Sequence, residues 1–178
     1  PQKPSSPNKS EKYVGAYVKE PQVGQHKWVL SFDLNSLYPH LIMQYNISPE
    51  TLVNKTVDLG KNPIDDLVKK KTGLDSFKGT NYALTPNGAM FKKDKQGFLA
   101  KMMQDMYEDR TIYKKKMLNA KQKYEDTKDP KYLKDISRFN NIQMARKISL
   151  NSAYGAIGNE WFRYYELMIA EGITTSGQ

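Results

Sequence analysis

The chain has 178 residues, of which 38% are hydrophobic and 26% are charged, so it suits one globular domain or two small units. It contains no cysteine, which excludes disulfide frameworks and cysteine zinc sites, and its two histidines cannot build a histidine-rich metal centre. Any metal must therefore be bound by oxygen ligands, as Mg²⁺ prefers. The net charge of +9 favours a polyanionic partner such as nucleic acid, but it is equally typical of many basic soluble proteins.

The first half of the chain predicts a tail, a strand and a helix. Residues 1–12 are rich in Pro, Ser and Lys, a composition typical of a flexible tail. The apolar run Lys27–Leu34 predicts a buried strand whose polar end is Asp33. Apolar residues then recur at every fourth position over Ser36–Tyr45, which predicts a helix. Pro49 ends this helix because it disfavours a helical residue before it.

The second half predicts a turn followed by two long helices. Asn87-Gly88 and Lys95–Gly97 predict a hairpin or tight loop. Leu99–Tyr124 contains no Gly or Pro and is dominated by helix-forming residues, which predicts a long helix. Asp129-Pro130 breaks this helix, and a second one is expected over Lys131–Gly155. Two long helices joined by so short a connection form an antiparallel hairpin.

One side of the first long helix is predicted to be apolar. Four of its residues fall within one narrow sector at about 100° per residue: Met102, Met106, Tyr113 and Met117. Residues 161–178 predict one more helix, which ends near Ala170. No apolar run approaches the roughly 20 residues of a membrane span, and the polar N-terminal residues lack a secretory signal. No membrane partner is expected.

The densest chemical signal is SFDLNSLYPHLIMQYNISPETL, residues 31–52. A strand delivers Asp33 to its end, and a helix N-terminus follows at once, where unpaired backbone N–H groups suit a polyphosphate. The ring of Tyr38 lies just beyond and is suited to stack on a sugar. The residues alone leave a second interpretation open, in which Asp33 caps the helix and Tyr38 belongs to the core.

A second signal is ARKISLNSAYGAIGN, residues 145–159. On a helical wheel Lys147, Asn151 and Tyr154 lie within about 60° of one another, so a cation, an amide and an aromatic ring share one face. Lys147 and Asn151 suit phosphate oxygens, while the Tyr154 ring and Gly155 suit a base pair. The alternative is a solvated charged face that ends in a capping glycine, Gly155.

A third signal is Arg110 with Lys114, which lie four residues apart on one face of the first long helix. In isolation this spacing carries almost no information. If the two long helices are antiparallel, however, both cations face Lys147 and Asn151. The four side chains are then expected to form one cationic cradle for a triphosphate.

These strings together resemble the family B DNA polymerases. The first contains D-x-x-S-L-Y-P, as in motif A of that family, the second resembles its motif B, K-x-x-x-N-S-x-Y-G, and RTIYK resembles its fingers element R-x-x-x-K. Flanking strings such as GNEWFRYYEL are similar to those of T-even-type bacteriophage polymerases. The resemblance implies an α+β fold: a partial polymerase palm of strand and helices at residues 13–98, an inserted fingers domain formed by the long antiparallel helix pair at 99–158, and a return helix of the palm at 159–178.

The resemblance also implies a reaction and residue roles. A primer 3′-hydroxyl attacks the α-phosphate of a deoxynucleoside triphosphate, and pyrophosphate leaves, with the help of two Mg²⁺ ions. Asp33 would be the catalytic carboxylate that binds both ions, Leu34 would offer its carbonyl oxygen to one, and Tyr38 would be a steric gate against a ribose 2′-hydroxyl. The nucleotide-binding residues would be Ser36, Leu37, Tyr38, Arg110, Lys114, Lys147 and Asn151. The base-pair pocket would be lined by Ile148, Ser152, Tyr154 and Gly155.

The chain departs from the family pattern in three ways. His40 stands where a small residue, commonly Ser, follows the motif A proline, and the segment between the fingers helices is short. The aspartate pair of motif C does not occur, since Asp65-Asp66 lies upstream of motif B and outside any predicted hairpin. We therefore expect the second carboxylate for the two Mg²⁺ ions from downstream sequence, and this chain, as an excerpt of a longer protein, to be inactive alone.

The resemblance further implies primer–template DNA and a dNTP as partners, a phage sliding clamp that binds through other regions, and action in the cytoplasm of the infected bacterium. A non-catalytic nucleic-acid-binding module that kept the fold is the alternative. Against it stands Asp33, because binding alone needs no metal carboxylate. A basic structural protein is a third class, which the order of the motifs disfavours.

Overall fold

The computed structural model describes residues 15–70, 77 and 79–178, so the predicted flexible tail lies outside the described residues. The fold is α+β, as predicted, with a small sheet and several helices. The helices are α1 (Leu37–Gln44), α2 (Pro63–Val68), α3 (Phe98–Thr127), α4 (Lys131–Ile157) and α5 (Leu167–Gly177), and the strands are β1 (Leu52–Thr56), β2 (Tyr82–Leu84) and β3 (Ala89–Lys92).

The sheet is antiparallel in the order β1-β3-β2, so the predicted hairpin at Asn87-Gly88 is confirmed. Its turn is closed by a 2.9 Å hydrogen bond from Gly88 N–H to the Thr85 carbonyl. Gly88 has a φ of 83°, and a Cβ atom there would lie 2.2 Å from the Val57 carbonyl oxygen. Both the backbone conformation and the close approach require glycine at this position.

The antiparallel helix pair is also confirmed. The chain reverses at Lys128, which adopts a left-handed φ of 53°, and the Asp129 carboxylate then accepts a 2.9 Å hydrogen bond from Lys131 N–H, which lies in the first turn of α4. Pro130 stands at the N-cap of α4, where its missing N–H costs nothing. The connection is therefore as short as its sequence suggested.

α3 and α4 contact each other along their length. Asp109 pairs with Arg146 across the two helices at 3.0 Å, and further toward the turn the rings of Tyr113 and Phe139 have centroids 6.2 Å apart. Gln143 of α4 is buried. These contacts fix the register of the two helices, and with it the side chains that face each other near α1.

The core lies where α1, β3 and α5 meet the beginning of α3 and the end of α4. Phe91, Ile42, Met103, Leu150 and Ile169 are almost fully buried in one continuous cluster. Each large apolar side chain buried in this way contributes roughly 1.5–3 kcal/mol relative to an exposed one. Within the described residues, no helix combines the length and the apolar character that crossing a bilayer demands.

The predicted apolar sector of α3 is correct only in part. Met117 is buried, and Met106 and Tyr113 are partly buried, but Met102 is 41% exposed while its neighbour Met103 is fully buried. Near its beginning α3 packs on the core formed with α1 and β3 as well as on α4. The buried stripe therefore shifts by one residue there, which a single helical sector cannot anticipate.

The predicted strand Lys27–Leu34 is wrong for this structure. No described strand includes these residues, and Trp28 and Phe32 are 98% and 90% exposed. An apolar run becomes a strand only when another strand pairs with its backbone N–H and C=O groups. Within the described part of the chain, the sheet consists of β1, β3 and β2 and gives this run no neighbour.

The last helix was predicted with the wrong bounds. α5 begins at Leu167, after an extended Glu166, and runs through Gly172 to Gly177 instead of ending near Ala170. Gly172 is buried beside Thr85, and a Cβ atom at that position would lie 3.2 Å from the threonine hydroxyl. Tertiary packing against the β2–β3 turn thus outweighs the low helix propensity of glycine.

Candidate functional site

The N-terminus of α1 is the first element of the site. Ser36, the N-cap residue, adopts a left-handed conformation with φ 54° and ψ 47°, which costs about 1–3 kcal/mol for a residue other than glycine. The amides of Leu37 and Tyr38 belong to the first turn, where N–H groups have no partner within the helix. Because Ser36 holds the N-cap position, the interpretation of Asp33 as the cap of this helix is wrong.

A cavity of about 600 Å³ opens in front of this turn, a volume typical of small-molecule sites. It brings together the first motif, the second motif and one residue of the third. Its walls are formed by Asp33, Leu34, Asn35, Ser36, Leu37, Tyr38, Pro39, Arg110, Lys147, Asn151 and Tyr154. Lys114 is not among these described residues; it is exposed, one turn further along α3.

Arg110 is the most constrained cation of the cavity. One of its terminal nitrogens lies 3.3 Å from the Ser36 hydroxyl oxygen. Its Nε atom is buried, yet no residue that the structure describes accepts a hydrogen bond from it. A guanidinium and the positive end of the α1 dipole therefore face the same space. Both would be stabilised by an anion there, since a buried donor without a partner costs about 1–3 kcal/mol.

Lys147 and Asn151 approach the cavity from α4, one turn apart and both exposed. Arg146, the neighbour of Lys147, is paired with Asp109, whereas Lys147 forms no ion pair with any residue in the described ranges. Its ammonium group is thus free to meet an anion from solution. The interpretation of Gly155 as a capping glycine is wrong, because α4 continues to Ile157 and Gly158 is its C-cap.

Two tyrosines form the remaining wall. The rings of Tyr38 and Tyr154 have centroids 4.5 Å apart at an angle of 38°. Both are partly buried and pack against the core cluster while lining the cavity. Tyr38 therefore packs on the core, as the second interpretation held, and it also lines the cavity, while stacking of its ring on a sugar stays a prediction. Three other residues predicted for a base-pair pocket lie exposed on the adjoining face of α4, outside the cavity lining: Ile148, Ser152 and Gly155.

Oxygen ligands for a metal are sparse in this part of the chain. Asp33 is exposed at the cavity, next to Leu34. Among the described residues, no three His, Asp or Glu side chains are grouped closely enough to hold a metal ion. Asp65 and Asp66 lie in α2, where Asp65 pairs with Lys69 at 3.1 Å. The Asp33 carboxylate offers hard oxygen atoms, which suit Mg²⁺, and it is the only carboxylate among the described residues that line the cavity.

A polar cluster that caps α3 was missed at the level of sequence. Asn46 accepts a 2.8 Å hydrogen bond from Gly97 N–H and donates to the Lys92 and Lys95 carbonyls at 2.7 and 2.8 Å. Its own φ is 53°, a left-handed value that asparagine tolerates. These contacts join the end of α1 to the beginning of α3. The signal in the sequence is an asparagine between apolar residues, but nothing in the sequence reveals its partners.

Glu50 completes this cap. Its carboxylate accepts hydrogen bonds from Phe98 N–H and from the Ser48 hydroxyl. Partial burial raises the pKa of the Glu50 carboxyl, but these hydrogen bonds and the charge of Lys95 outweigh burial and hold that pKa below its ordinary value. A carboxylate at the N-terminus of a helix is also favoured by the helix dipole. The cluster thereby fixes where α3 begins, three turns before Arg110.

Comparison with known proteins identifies the family of this chain. The model of DNA polymerase family B matches residues 1–178. The chain belongs to this family. The family assignment agrees with the resemblance seen in the motifs, and the cavity lies where those motifs meet.

Individual members of DNA polymerase family B show the same relationship. The chain is 33% identical to the DNA-directed DNA polymerase of Escherichia phage RB69, over 93% of this chain and 22% of the relative. It is 31% identical to that of Enterobacteria phage T4, over 94% and 23%, and 32% identical to DNA polymerase 1 of Pyrococcus abyssi, over 94% and 18%. The chain therefore spans about a fifth of the length of these relatives.

Proposed function

We propose that the chain is the nucleotide-binding segment of a DNA-directed DNA polymerase that adds deoxynucleotides to a primer. The observation that supports this proposal is the cavity, whose lining contains Asp33 and Tyr38 together with Arg110, Lys147 and Asn151, although the two groups are far apart in the sequence. A site that combines backbone amides, a guanidinium and an ammonium with a carboxylate suits a triphosphate whose α-phosphate reacts near the carboxylate.

In this proposal the triphosphate lies in front of the first turn of α1. The amides of Leu37 and Tyr38 and the Ser36 hydroxyl would donate to its oxygens, as helix N-termini do for phosphates generally. Arg110 Nε, which no described residue partners, would gain an acceptor. Lys147 and Asn151 would bind the β- and γ-phosphates from the other wall. The family resemblance adds Lys114, which would reach these phosphates only if its long side chain turned toward the cavity.

Tyr38 would act as the steric gate. Its ring is held in place by Tyr154 and by the core, so it cannot easily move aside for a ribose 2′-hydroxyl. The exposed face of α4 that carries Ile148, Ser152 and Gly155 would meet the nascent base pair. Since these residues are open to solvent, primer–template DNA has access to them.

Mg²⁺ fits the donors at the cavity in type, since Asp33 and the Leu34 carbonyl offer hard oxygen atoms. Bound there, it would favour attack by the primer 3′-hydroxyl and stabilise the leaving pyrophosphate. Asp33 alone cannot hold two ions, so further carboxylates would come from other parts of the polymerase. Residues 99–158 would be its fingers, and the sheet, α1 and α5 would belong to its palm.

The relatives from two phages favour a viral protein that acts in the infected bacterial cell. Its partners would be primer–template DNA, a dNTP and, through other regions, a sliding clamp. Templated base pairing supplies the sequence information, so the chain needs no base-reading code of its own.

Substitution of Asp33 tests the proposal in the longer polymerase that carries this chain. Asp33→Asn should abolish primer extension while primer–template binding persists, because the change removes the metal-binding charge and little volume. Asp94→Asn, at an exposed residue that does not line the cavity, is the matched control and should extend primers normally. If Asp33→Asn extends primers as well as the wild type does, the proposal is contradicted. If the wild-type polymerase itself does not extend primers, a non-catalytic binding module is favoured. The isolated 178-residue chain should not extend primers.

A further inference from the structure

His40, the residue at which the first motif departs from its family pattern, contacts the strained turn that opens the site. Its backbone N–H and its ring Nδ1 lie 3.1 and 2.8 Å from the Ser36 carbonyl oxygen. A carbonyl oxygen only accepts hydrogen bonds, so Nδ1 carries the proton in this contact. The side chain thus adds a second hydrogen bond to the carbonyl of a residue held in the left-handed conformation.

The ring of His40 also reaches α3. It meets the ring of Tyr107 edge to face, with centroids 4.6 Å apart at 80°, an arrangement that aromatic pairs favour. Tyr107 is partly buried against the core. Three residues further along α3, and so on the same side of the helix, Arg110 donates to the Ser36 hydroxyl. His40 and Arg110 therefore connect one turn of α1 to one side of α3 at two points.

We infer that His40 is a positioning residue for binding of the nucleotide triphosphate, an inference that rests on the function proposed above. By fixing the Ser36 carbonyl and the spacing between α1 and α3, it keeps the Ser36 hydroxyl and the Arg110 guanidinium directed at the same anion. His40 is not itself among the described residues that line the cavity. It acts through Ser36 and Tyr107.

The test compares side chains of similar shape at this position in the longer polymerase. Asparagine places an amide N–H where the Nδ1–H of histidine lies, whereas glutamine places its amide near Nε2. In single-turnover incorporation, His40→Asn keeps the hydrogen bond but loses the ring contact with Tyr107, so it should raise the dNTP dissociation constant only about twofold. His40→Gln should raise it about fivefold, as expected for one lost hydrogen bond. The maximal incorporation rate should change less than the dissociation constant.

The other histidine of the chain gives a matched control. His26 also contacts a carbonyl four residues earlier, with Nε2 2.9 Å from the Gln22 oxygen, but it is exposed and outside the cavity lining. His26→Gln should bind dNTP like wild type. A wild-type dissociation constant for His40→Gln overturns the inference even if its melting temperature falls, and so does a fivefold rise for His40→Asn.

Tyr107→Leu keeps the test decisive if His40→Gln does not fold. It removes the ring contact and retains the hydrogen bond to Ser36, so the dNTP dissociation constant should again rise, by a smaller factor. An unchanged constant in folded Tyr107→Leu overturns the inference. Failure of the wild-type polymerase to incorporate dNTP contradicts the proposed function itself, whereas normal incorporation with unaffected His40 variants contradicts only the role of His40.

Discussion

The ring of Tyr38 packs against the ring of Tyr154 at a centroid distance of 4.5 Å, which joins the first turn of α1 to α4 directly beside the cavity. Tyr38→Ala should therefore admit ribonucleotides, because it removes the ring that would clash with a 2′-hydroxyl. The measurement is the ratio of incorporation efficiencies for dNTP and rNTP. Tyr38→Phe keeps the ring and should preserve discrimination. Unchanged discrimination in Tyr38→Ala would show that another group forms the gate.

Lys147→Ala should lower the efficiency of dNTP incorporation by about a hundredfold or more, because charge stabilisation of a reacting group of this kind is worth several kcal/mol. Single-turnover kinetics over a range of dNTP concentrations would measure it. Lys115→Ala, at an exposed lysine of α3 outside the cavity lining, is the control and should leave the efficiency near wild type. If Lys147→Ala keeps both rate and affinity, the cationic cradle is wrong.

Glu50→Gln should destabilise the protein at neutral pH by about 1 kcal/mol, the usual value of a helix cap. The folded-state pKa of Glu50 lies below its ordinary value of 4.5, so the stabilisation is present above that value and is lost as the pH falls through the folded-state pKa. Denaturant unfolding of wild type and variant should therefore converge at low pH. Glu108→Gln, at an exposed glutamate that accepts a hydrogen bond from Gln104, should lower the free energy of unfolding by less. If the difference in unfolding free energy between wild type and Glu50→Gln does not depend on pH, the ionised Glu50 carboxylate is not the group that stabilises α3.

Gly88→Ala should destabilise the β2–β3 turn strongly, because the new Cβ would lie 2.2 Å from the Val57 carbonyl oxygen as well as at a φ of 83°. Gly60→Ala is a matched control, since Gly60 has a φ of 84° and a Cβ atom added there would meet nothing within 4 Å. Gly60→Ala should be destabilised only by the left-handed backbone conformation, by about 1 kcal/mol. Thermal unfolding of both variants separates strain from steric clash. Equal losses would mean that the turn moves away from Val57.

The elements that sequence predicts well are those whose signals are local. The long helices follow from their composition, their break follows from Asp129-Pro130, and the hairpin follows from Asn87-Gly88. The site residues Asp33 and Lys147 could be proposed because each lies in a dense motif, and the helix hairpin explains how such distant motifs meet. These signals require no knowledge of which surfaces come together.

The elements that sequence predicts poorly depend on distant partners. Lys27–Leu34 has the composition of a strand but no described neighbour to pair with. The continuation of α5 through Gly172 depends on the turn at Thr85, and the cap formed by Asn46 depends on a residue 51 positions away. The Tyr107 contact of His40 likewise needs the three-dimensional structure, because the two rings belong to different helices.

The sheet also fastens the chain at two points, one on each side of α2. Val57 N–H donates to the Gly88 carbonyl and Lys93 N–H donates to the Asn81 carbonyl, both at 2.9 Å, so both ends of residues 58–80 are fastened to the hairpin. Lengthening a connection between two fastened points is inexpensive, since doubling the length of a loop costs only about 0.6 kcal/mol. Exposed Gly60-Lys61 is therefore a suitable place to insert an affinity tag or a fluorescent reporter while the nucleotide cavity keeps its shape.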